Sequence, residues 1–138
     1  MEDEIKYIKE CISGYEKLVN ALEIRISNGD NVADVKDDFK REDLSVGLER
    51  YKYSLEGFRS VLNVISGNER SSASDLGFIS IIAKMEKSHL SYLKDCVSHE
   101  ESFFNNREVI NSDTEEKLKR SEKELRYCEN IISFITEN

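Results

Sequence analysis

Four stretches of this chain carry apolar residues in alternating steps of three and four, and no proline interrupts its 138 residues. Steps averaging about 3.5 residues keep one stripe of a helix turned toward a neighbour. Without proline, every backbone N–H remains available to a helical ladder. The first stretch is Ile5, Ile8, Ile12, Tyr15, Val19, Leu22 and Ile26. The second is Leu44, Leu48, Tyr51, Leu55, Phe58, Leu62 and Ile65. The fourth is Leu118, Ser121, Leu125, Cys128, Ile132 and Ile135, with Ser121 its one polar member. The third is broader and includes Leu76, Ile79, Ile82, Ala83, Met85, Leu90, Leu93, Val97, Phe103 and Phe104. An apolar face of that width predicts contact with more than one neighbour.

The stops between the stretches are equally readable. Asn28-Gly29 and Gly67-Asn68 end the first two helices, because glycine takes the left-handed conformation that closes a helix. Ser72 or Ser74 is suited to cap the third helix. Ser112-Asp113-Thr114-Glu115 has the spacing of a capping box for the fourth. These signals predict helices over about 2–27, 39–66, 75–105 and 113–136. Short links between helices of similar length favour antiparallel neighbours. The expected fold is therefore all-α: an antiparallel up-down bundle of four long amphipathic helices forming a single domain over 1–138. A three-helix coil that dimerises is the alternative, because the doubled apolar pairs Val64-Ile65 and Ile131-Ile132 leave surplus apolar surface.

Composition narrows the function. The net charge is −8, which opposes general nucleic-acid binding, since phosphate contacts need a basic surface. It also opposes a polybasic membrane surface. No apolar run approaches the ~18 to 20 residues that span a bilayer, so no direct membrane insertion is expected. The acidic start, Met1-Glu2-Asp3-Glu4, is unlike the basic start of a secretory signal. Cys11, Cys96 and Cys128 are odd in number and widely spaced, as expected for reduced thiols in a cytoplasmic protein.

Chemical motifs are sparse. Glu86-Lys87-Ser88-His89 has the Glu-x-x-His spacing used in di-iron bundles, but a second copy is missing. His89, Cys96 and His99, with Glu86 nearby, are the candidate ligands for a smaller zinc or copper(I) site, since thiolate and imidazole suit those metals. The competing reading makes Cys96 a packed core residue and His99 a solvated one. Cys96 and His99 are also the only nucleophile–base candidates on one helix, and the mixed charges around them give no reason for an activated thiol. No glycine-rich phosphate loop is present.

The sequence therefore leads to no enzyme and no cofactor. The expected role is a non-enzymatic acidic helical interaction module of the adaptor, chaperone, inhibitor or immunity type. Its partner would be another protein, or itself as a homodimer, held on an apolar helix face. Val61, Val64 and Ile65 near one end, and Phe103 and Phe104 near another, are the expected partner-binding residues. A metal-binding bundle using Glu86, His89, Cys96 and His99 is one alternative, and a self-assembling structural coil is another.

Overall fold

The computed structural model describes residues 1–29, 38–104 and 112–137, with the side chains of 38–43, 100–104 and 112 outside that description. The fold is all-α, with no strand among the described residues. Helix α1 spans Glu2–Asn28, α2 Asp38–Ile65, α3 Ala73–Phe104 and α4 Ser112–Glu137. All four lie where the apolar seams predicted them, so the all-α class with four long amphipathic helices is observed and the three-helix alternative is not. The chain divides into two compact units, one built on α1 and α2 and the other on α3 and α4.

The helix ends follow the stop signals. Gly67 has φ of 82°. Its N–H donates to the Val64 carbonyl at 3.1 Å, and the Asn68 N–H donates to the Asn63 carbonyl at 2.9 Å. Those two bonds form a Schellman closure, and a left-handed residue at its centre is least costly as glycine. Gly29 closes α1 in the same conformation, with φ of 66° and its N–H on the Ile26 carbonyl at 3.2 Å. At the start of α3 the cap is Ser72, not Ser74. The Ser72 hydroxyl accepts from the Asp75 N–H at 3.3 Å, and the Ser72 N–H donates to Asp75 Oδ2 at 2.9 Å. This is a capping box in which aspartate takes the usual place of glutamate. The capping box expected at Ser112 falls on a side chain outside the described residues.

In the first unit α1 and α2 run antiparallel. Tyr15 meets Tyr51 edge-on at 5.8 Å and Phe58 at 5.4 Å between ring centroids. Glu16 pairs with Arg59 at 3.2 Å and Glu23 with Lys52 at 3.9 Å. Rising numbers on α1 thus meet falling numbers on α2, and that register sets Ile8 level with Ile65. Burial is concentrated at this end, in Tyr7 and Ile8 of α1 and in Leu55, Phe58, Val61, Val64 and Ile65 of α2. Toward the other end Leu18, Ile24, Val46 and Tyr53 are exposed. Of the α1 seam, Ile8 is fully buried, whereas Ile12, Tyr15, Val19, Leu22 and Ile26 are half-buried.

In the second unit α3 packs along α4. The seven residues between Phe104 and Ser112 reach at most about 25 Å, less than the ~39 Å length of a 26-residue helix. Helix α4 must therefore run back along α3. The core of this hairpin is Ile79, Ile82, Leu90 and Leu93 from α3, with Cys128, Ile131 and Ile135 from α4. Ser121, the polar member of the α4 seam, is buried with them.

Candidate functional site

Helix α3 carries two apolar arcs. At 100° per residue, Ile79, Ile82, Leu90 and Leu93 fall within about 80° of one another and form the buried arc. Ile81, Met85 and Tyr92 fall within about 40° of one another, centred about 120° round the helix from the first arc. These three are 57%, 58% and 63% exposed. The broad apolar face expected from the sequence is thus real but divided: one part is core and the other faces outward. Large apolar side chains grouped on a surface mark a place where another molecule is bound more often than singly scattered ones do.

The polar candidates of α3 are spread around the helix: Glu86 falls within the buried arc, His89 and Cys96 between the two arcs, and His99 on the outward one. Glu86 sits at the α3–α4 interface, where the buried Ser121 hydroxyl donates to its Oε2 across 3.5 Å. Burial pushes the Glu86 carboxyl up to about 7, with the nearby charge of Glu124 and a hydrogen bond to Glu124 acting the same way. The Ser121 hydrogen bond and the Arg120 charge favour the ionised form and do not offset the rise. Arg120 itself is held by Glu124 at 3.1 Å, one turn along α4. What this arrangement can do chemically is hold and release one proton near neutral pH, between two helices. Glu124 escaped the sequence reading because it flanks the α4 seam. The available signal was the polar seam position Ser121, which marks where a polar group from α3 must be received.

The other metal candidates do not converge on Glu86. His89 is exposed and its ring stacks with that of Tyr92 at 6.5 Å between centroids. Cys96 is half-buried and hydrogen-bonded to the Tyr92 hydroxyl, which raises the tyrosine's pKa. His99 is exposed. Among the described residues, no three His, Cys, Asp or Glu side chains come together as a metal site. The reason is angular: Glu86 turns into the α4 interface, while Cys96 and His99 lie about 80° and 140° round the helix from it.

The expected partner-binding residues divide as well. Val61, Val64 and Ile65, expected as partner-binding residues, are 0%, 4% and 5% exposed and belong to the core. The doubled pair Val64-Ile65 turns both its members into the core. Phe103 and Phe104 close α3, and their side chains lie outside the described residues. No family model matches the chain, and no curated protein or solved structure matches it. Among the described residues no helix is long and apolar enough to cross a membrane.

Proposed function

We propose that this protein is a non-enzymatic, acidic helical interaction module that works in the cytoplasm and binds another protein chain through the outward apolar arc of α3. The observation that carries the reading is the exposure of Ile81, Met85 and Tyr92 on one stripe, beside a helix face that is already packed. Spacings of four and seven residues are those by which one helix reads another. The net charge of −8 supports solubility of a chain that keeps such a stripe open. The adaptor, chaperone, inhibitor and immunity roles all share this requirement.

The test is native mass spectrometry of the untagged protein isolated from its own source, beside an Ile81→Asp/Met85→Asp variant. The expected result is a complex of more than one chain that the double variant loses while keeping its helical circular dichroism. A complex retained by the variant would move the binding face elsewhere. A stoichiometric metal mass on a single chain would replace this reading with the metalloprotein one.

A further inference from the structure

We infer that the occupant of the α3 stripe is a second copy of this chain, lying antiparallel to the first. The inference rests on the interaction reading above and names its partner. The stripe is close to palindromic about a point between Ser88 and His89. Met85 and Tyr92 lie at equal distances on either side of that point, and so do Ile81 and Cys96. A two-fold axis there sets Met85 of one copy against Tyr92 of the other, a favourable thioether–aromatic pairing. It also sets Ile81 against Cys96. Two-fold interfaces are self-complementary in this way, each residue meeting its counterpart twice.

Charge selects the direction. Lys84 and Asp95 are exposed and border the stripe on the same side, one toward each end. In an antiparallel pair that side meets itself, and the axis brings Lys84 of one copy within about two residues of the level of Asp95 of the other. Two opposite-charge contacts result. In a parallel pair that side would face the opposite flank of the other copy, and neither of these contacts would form. Antiparallel α3 helices also oppose their macrodipoles.

The stripe from Ile81 to Cys96 is about 22 Å long. One helix face of that length buries less than the ~800 Å² per partner of a standard interface, so the dimer dissociates on dilution. The net charge of −8 on each copy opposes association at low salt.

The experiment is sedimentation velocity on the purified full chain across a concentration series at physiological ionic strength. The wild-type protein is expected to pass from monomer to dimer as concentration rises. Lys84→Asp alone and Asp95→Lys alone should each weaken the dimer roughly tenfold, because two attractive contacts become repulsive. An equimolar mixture of the two variants should recover wild-type association, since both contacts in the mixed pair are again opposite in charge. A chain that stays monomeric at every concentration overturns the self-pairing. In that case a source-isolated complex that Ile81→Asp/Met85→Asp abolishes still leaves the interaction reading standing. A dimer that survives Ile81→Asp/Met85→Asp is held by another face and overturns the self-pairing on this stripe. A dimer that this double variant abolishes but that ignores both charge variants overturns the antiparallel register.

Discussion

Along α1 and α2 the charges flanking the seam are opposite, Glu16 against Arg59 and Glu23 against Lys52. At the interface of α3 and α4 two carboxylates, Glu86 and Glu124, share a hydrogen bond beside a buried serine. Both hairpins bury a row of aliphatic side chains, so their main stabilisation is of one kind. They differ in what the polar margin does. The α1–α2 margin is solvent-exposed and its ion pairs add little. The α3–α4 margin is half-buried, and there a like-charge contact has a protonation state that depends on pH.

If packing dominates in both hairpins, the largest losses come from the two cores and are similar. Phe58 and Ile131 are 2% and 0% exposed. Phe58→Ala should cost roughly 3 to 5 kcal/mol and Ile131→Ala roughly 2 to 5 kcal/mol, from lost transfer free energy and the cavity left behind. Urea unfolding followed by circular dichroism measures both. A cost below about 1 kcal/mol at Phe58 would contradict this and assign the α1–α2 hairpin to its flanking pairs.

The next effect separates the hairpins. Glu86 rises from 4.5 to about 7 on folding. Between those pH values the folded chain holds a proton there that the unfolded chain releases, so stability falls as pH rises through the window and the loss is complete above it. Because Glu86 is half-exposed, screening reduces the full linkage value, and a loss on the order of 1 kcal/mol is expected. Glu86→Gln removes the titration while leaving Ser121 an acceptor. The variant should match the wild type near pH 4 and exceed it at pH 8, raising the thermal midpoint by roughly 2 to 4 °C. A wild-type midpoint that rises between pH 5 and pH 8, with no difference from Glu86→Gln, would remove the contrast between the hairpins.

The helices were legible in the sequence because period and stop signals are local. The spacing of Ile79, Ile82, Leu90 and Leu93, the two closing glycines and the Ser72 cap all act within a few residues of themselves. What sequence could not supply was direction around the helix combined with the position of a neighbour. Val64 and Ile65 looked like surplus because two adjacent apolar residues cannot share the centre of one stripe, yet the face they bury is wide enough for both. Glu86 and His89 looked like a ligand pair because they are one turn apart. The placement of α4 turns the first into an interface and leaves the second against Tyr92. Glu124 was hidden for the same reason, since its meaning depends on what α3 presents to it.

The smallest effect tests the exposed side of the comparison. Arg59 and Glu16 approach to 3.2 Å, but their side chains are 53% and 52% exposed. Water screens such a pair, and holding two long side chains in one geometry costs entropy. Arg59→Ala should therefore lower stability by no more than about 1 kcal/mol, and 1 M salt should remove most of the difference, because the screening length falls to about 3 Å. The guanidinium stem also covers apolar surface, so a residue of the loss should survive the salt. A double-mutant cycle with Glu16→Ala separates the two parts. A coupling well above 1 kcal/mol that resists salt would mean that α1 and α2 are held by charge after all, and the contrast with the Glu86–Glu124 interface would then be one of sign alone.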